Sequence, residues 1–182
     1  MKYILLLVAA GLCAAPAIAQ GVDSEWDVRT MVSSLQRQEQ HLRPLLDQVK
    51  PDTWVANGAP EAYIAQWKST RAELNYLFQT SDAFLKQPER LTLALDTYFR
   101  MQSIDSMLAS LVQGIRKYQS PAVAQQVQNV INETSMNRDK LREYIRELAL
   151  QKEQEFQVAD REAQRCRGVI LKQPAGRRGE NK

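Results

Sequence analysis

Three side chains could make a nucleophilic pair or a metal ligand set of the usual His/Cys kind. His41 is the only histidine, and Cys13 and Cys166 are the only cysteines. A thiol beside an imidazole makes a nucleophilic pair. The helical pattern set out below puts His41 well over halfway along the first segment and Cys166 beyond the end where that segment begins. The two then stand roughly 25 Å or more apart, and His41 reads as a solvent-facing residue. A Ser-His-Asp triad meets the same obstacle, and no strand-turn-helix context exists to raise a nucleophile. One histidine cannot build a multi-His metal centre. Di-iron chemistry needs Glu-x-x-His repeats on paired helices, and c-type haem needs C-x-x-C-H; neither pattern occurs. A b-type haem held by His41 and Met101 or Met107 is the remaining cofactor option, but methionines on an apolar stripe read as core. Asn132-Glu133-Thr134 fits a glycosylation sequon in mid-helix, a poor acceptor context. Glu153 and Glu155 sit among compensating charges, as on a solvated face. Seven glycines leave little for a phosphate-cradling loop. No catalytic, cofactor-binding or metal-ligating residue is assigned, and no cofactor is expected.

The elements that would position any such group begin after residue 19. Met1-Lys2 is charged, Ile4 to Ala15 is apolar and uncharged, and Ala17-Ile18-Ala19 ends the run in small residues. This is the layout of a secretory signal peptide, residues 1–19, cleaved between Ala19 and Gln20. The apolar run is short of the ~20 residues of a membrane span, and Leu12 before Cys13 does not suit lipidation. A secreted or periplasmic chain of residues 20–182 follows, with no transmembrane span. Its single cysteine, Cys166, has no internal partner.

Of 182 residues, 44% are hydrophobic and 25% charged, with a net charge of +3. That balance excludes a wholly disordered chain. The basic excess lies in Lys172, Arg177, Arg178 and Lys182, so residues 169–182 read as a disordered basic tail. Acids and bases are interspersed elsewhere, without the one-sided Lys/Arg face of a nucleic-acid binder.

Apolar residues recur at steps of three and four, and strand alternation is absent. The first segment runs from about Ser24 to Lys50 through Val28, Leu35, Leu42 and Val49; Pro44 is expected to bend or break it. Pro51 to Ala59 reads as a loop. Pro60 opens a second helix to about Lys86, and Pro88 a third through Leu91, Leu95, Tyr98, Met101, Leu108 and Ile115. Gly114 lies inside the third, at a cost of about 1 kcal/mol relative to Ala, and would suit a close helix crossing. Ser120-Pro121 starts a fourth helix that meets no Gly or Pro until Gly168. Short connectors between such helices predict an all-α fold, an antiparallel up-down-up-down four-helix bundle over residues 20–151.

The fourth segment is the longest by far. Its end, residues 152–168, should project beyond the bundle as a helical extension. One narrow apolar line marks it: Phe156, Ala159, Ala163, Cys166 and then Ile170. A line that narrow suits a single partner helix, from another protein or from a second copy of the chain. The alternatives are a solvated helix with Phe156 packed on the bundle end, or a helix that breaks near Gln151 and folds back. Trp54, in its Pro/Gly-bounded loop, either caps the bundle end or is a loop contact for a partner; its size favours capping.

The stretches Trp54-Val55-Ala56-Asn57-Gly58-Ala59-Pro60-Glu61-Ala62-Tyr63 and Asp160 to Arg167 resemble those of an uncharacterised family of exported bacterial helical proteins. The resemblance implies a bacterial, exported chain and no chemistry. The expected function is therefore that of a non-enzymatic protein-interaction protein of the envelope, a scaffold, adaptor or chaperone-like holder. The alternative is a small-ligand or cofactor-binding bundle, its pocket lined by Trp67, Tyr98, Tyr118 and Tyr144. An enzyme working with carboxylates alone ranks last.

Overall fold

The computed structural model describes residues 25–172, with side chains described from Asp27 to Ile170. The expected leader, its Ala19/Gln20 junction and residues 173–182 lie outside the described residues. Among the described residues every regular element is helical, so the fold is all-α. The helices are α1 (Glu25–Asp47), α2 (Pro51–Ala56), α3 (Ala62–Lys86), α4 (Leu91–Tyr118) and α5 (Pro121–Lys172). Helix α1 packs on α3 and α5, α4 packs on the same two, and α2 lies against α3.

The three-four spacing explains the core. Val28, Val32, Leu35, Leu42 and Leu46 are all buried along α1, and Val49 just after it. Leu74, Leu77 and Phe84 answer them from α3, and Val127, Leu141, Tyr144 and Leu148 from α5. On α4 the buried line is Ala94, Thr97, Met101, Ile104, Leu108, Leu111 and Ile115. Leu95 and Tyr98, expected on that stripe, are only half-buried. The small Ala94 and Thr97 occupy the tight positions instead, and the larger side chains flank them.

Three local expectations change. Pro44 does not break α1, which continues to Asp47. The proline comes in the final turn and is exposed, where the one helical hydrogen bond it removes is easily replaced by water. The expected loop after residue 50 contains α2, which Pro51 opens at its first position. Gly58, at φ 89°, then supplies the left-handed turn out of it. Pro88 does not open α4, which begins at Leu91. It is buried in the connection, and its carbonyl accepts the Tyr144 hydroxyl at 2.8 Å. Ser120 does mark the start of α5, with its Oγ facing the Val123 amide at 3.5 Å.

Candidate interaction surface

Helix α5 has 52 residues against 28 for α4, which makes it about 36 Å the longer. Its first part is anchored on both neighbours. Arg138 pairs with Asp105 on α4, and Asn137 donates to Gln38 on α1. Among the described residues Leu148 is the last fully buried side chain. Every residue from Glu153 to Arg167 is exposed.

The structure places all the residues of the expected seam on this exposed stretch. Phe156 is 73% and Ile170 67% exposed; Ala159, Ala163 and Cys166 are exposed between them, and the thiol is free. Their spacing of three, four, three and four keeps them on one side of the helix. At 3.6 residues per turn that side lies within about 40° of the face α5 turns toward α1 and α4. The side that builds the core therefore continues uncovered. Val158 and Val169 are exposed too, about 100° further round. The helix does not stop at residue 168 but runs to Lys172. Gly168 weakens a helix without ending it, and the first proline is Pro174.

Polar contacts along the extension are local. Lys152 pairs with Glu155 at 2.9 Å and Arg165 with Glu162 at 3.3 Å. The Lys152 ammonium, with help from the Gln151 amide, holds the Glu155 carboxyl below its ordinary value. Such exposed, salt-screened pairs add little to a solvated helix. They do not bind the extension to the rest of the chain.

Trp54 lies elsewhere and offers no surface. It is 1% exposed, and its indole N–H donates to Gln119 at 3.2 Å. Tyr63 meets it edge-on at 5.6 Å and Tyr118 stacks on it at 6.3 Å. This corrects the loop-contact expectation: α2 turns the indole inward, and the tryptophan caps the core. Gly114 makes the cap possible. A Cβ there would stand 2.6 Å from the Tyr63 ring and 3.0 Å from the Trp54 ring.

The other aromatics proposed as a pocket lining are dispersed. Trp67 donates to the Leu46 carbonyl at 2.8 Å, Tyr144 to Pro88, and the Tyr98 hydroxyl accepts from Gln102. A surface groove of about 440 Å³ between α1 and α5 is lined by Asp27, Met31, Ser34, Arg37, Asn137 and Lys140, among others. It is open and charged, unlike the mostly apolar clefts that hold cofactors. His41 is exposed on α1, and Met101 is buried against α3 and α5 neighbours. Among the described residues no group of three or more His, Cys, Asp and Glu gathers as for a metal. No described helix is long and apolar enough to cross a membrane.

One titratable group went unnoticed in the sequence. Glu39 is 1% exposed, and its Oε1 has no hydrogen-bond partner among the described residues. Ser81 Oγ lies 3.5 Å from Oε2 but sits closer to the Leu77 and Phe78 carbonyls, at 2.9 and 3.1 Å. Glu39 lines a space of about 10 Å³ with Leu35, Leu42, Leu77, Met101, Ile104, Thr134 and Asp105, the last of which pairs with Arg138. Burial pushes its carboxyl up to about 8, against the weaker opposing pull of Ser81 and Arg43. The spacing could have revealed it. Val28, Val32, Leu35, Glu39, Leu42, Leu46 and Val49 form one unbroken three-four series.

No family model, curated protein or solved structure matches this chain.

Proposed function

We propose that this chain is an exported, non-enzymatic protein-interaction protein of the bacterial envelope, acting as a scaffold, adaptor or chaperone-like holder. In this reading residues 1–19 are removed as a leader. The rest forms an antiparallel up-down-up-down four-helix bundle from which the end of α5 projects. Cross-helix bonds support the arrangement. Arg29 reaches the Leu85 carbonyl while Trp67 reaches that of Leu46, so α1 and α3 run in opposite senses. Gln66 to Met107 with Arg100 to Glu73 supports the same for α3 and α4. Gln38 to the Glu133 carbonyl with Asn137 to Ser34 does so for α1 and α5.

The observation that carries the function is the exposed apolar line from Phe156 to Ile170 on a helix that has already passed its last buried residue. A helix of this size is marginal in water without a partner, and an exposed apolar seam is the usual mark of an association site.

The test is site-specific photocrosslinking in a bacterial host. A photoreactive side chain at position 156 should give adducts in the envelope fraction, and one at Gln154, on the opposite side, should not. Retention in the cytoplasm, or no adducts of any mass at 156, would contradict the reading.

A further inference from the structure

Granting the projecting helix as the association site, we propose that its occupant is a second copy of the chain, with the two extensions laid antiparallel along residues 152–170. Three observations lead to this partner and this orientation.

The charges come first. Residues 152–167 contain four acidic and four basic side chains, so the segment is neutral overall and suits a partner of its own composition. They are also sorted along the axis. On either side of Arg161, Glu153, Glu155 and Asp160 outnumber Lys152 in the first half, while Arg165 and Arg167 outnumber Glu162 in the second. Antiparallel pairing sets the acidic half of each copy against the basic half of the other. Parallel pairing would set like against like, which costs stability.

The second is continuity with the core face. The seam lies close to the side of α5 that meets α1 and α4. In a parallel pair the partner's helix, traced back toward its own N-terminus, would run into the first copy's α1 and α4. In an antiparallel pair it approaches with its C-terminal end, and the two bundles stand at opposite ends of a two-helix bridge. Each bundle face is then extended by the other copy's helix.

The third is the fit of the layers. With the two-fold axis at Arg161, Phe156 of one copy meets Cys166 of the other, and Ala159 meets Ala163. Large faces small at the rim, and alanines meet in the middle, where helix axes can approach most closely. Ile170 meets the aliphatic stem of Lys152, whose ammonium already turns to Glu155. Glu153 of each copy comes beside Arg167 of the other. Asp160 and Glu162 each face their own counterpart near the axis, so the pair is weak, at the low end of specific interfaces.

The register makes a sharp prediction for disulfides. Cys166 and its counterpart stand about 15 Å apart along the axis, beyond the reach of a disulfide, which needs Cα atoms within roughly 7 Å. A cysteine at position 156, by contrast, faces the other copy's Cys166.

The experiment follows on the purified full chain, by light scattering over a concentration series in reductant and then by copper-phenanthroline oxidation. The wild type should be a concentration-dependent dimer that oxidation does not cross-link. Phe156→Cys should be trapped as a covalent dimer, and Phe156→Cys with Cys166→Ser should not. Ala159→Asp, at an exposed position, should be monomeric with unchanged helicity. A wild type that is monomeric throughout would overturn the proposal, as would efficient Cys166–Cys166 cross-linking, which signals parallel pairing. The photocrosslink at 156 separates the two levels. Adducts with a different protein overturn the second copy and leave the interaction reading standing. A complete absence of adducts overturns both.

Discussion

Helix α5 lives in two environments. From Pro121 to Leu148 it presents a three-four line of Val127, Leu141, Tyr144 and Leu148 that α1 and α4 cover completely. From Lys152 to Ile170 it presents a similar line, and nothing in the described chain covers it. Local rules are the same in both parts: good helix formers, acid-before-base pairs three apart, and no proline after Pro121. What differs is length. Helices α1, α3 and α4 are between 23 and 28 residues long, and α5 outruns them all. Helix formation is thus a local matter here, while burial is decided by how far the neighbours reach. The first part of α5 supplies stability, and the second supplies an unfilled apolar side.

That contrast can be broken at either end. The largest effect is expected at the cap of the core. Trp54→Ala should cost about 3–5 kcal/mol in urea unfolding, as for large buried aromatics, and leave cross-linking at 156 intact in the chains that remain folded. A loss below about 1 kcal/mol would mean that the cap contributes little.

Next comes the buried carboxyl. In the folded chain Glu39 keeps its proton up to about pH 8, while the unfolded group titrates near 4.5. The stability this proton contributes is complete below the unfolded value, declines as pH rises through the interval, and is gone above the folded value. Relative to Glu39→Gln, the wild type should lose roughly 2–3 kcal/mol between about pH 5 and 7. Parallel pH profiles for the two chains would show that Glu39 is not held neutral.

The smallest effect on stability belongs to the extension. Phe156→Ala should change unfolding by less than about 0.5 kcal/mol, like other exposed substitutions, and should weaken association. Destabilisation by about 2 kcal/mol would place that ring in a folded-back core.

The helical class, the start of α5 at Pro121 and the apolar line from Phe156 to Ile170 were legible because each rests on spacing or on a strong local signal. Other features were not. Pro44 looked like a breaker because the sequence does not show that it faces water in a final turn. Helix α2 was hidden in a stretch rich in Pro and Gly that also contains a short helical turn. Gly114 was legible as a cost, but the rings of Tyr63 and Trp54 that fill its missing Cβ come from distant segments. Glu39 was passed over because charge outweighed position: it sits on the apolar series, where residue type alone argues for solvent. Trp54 needed the direction in which α2 points its side chains.

The most direct measurement compares the unfolding of the full chain with that of a chain ending at Gln151, both at concentrations where they are monomeric. If the core is complete at Leu148, the two will unfold cooperatively with stabilities within about 0.5 kcal/mol. A loss of more than about 1 kcal/mol on removing the extension would show that it packs on its own bundle, and would contradict the account of an apolar side kept free for a partner.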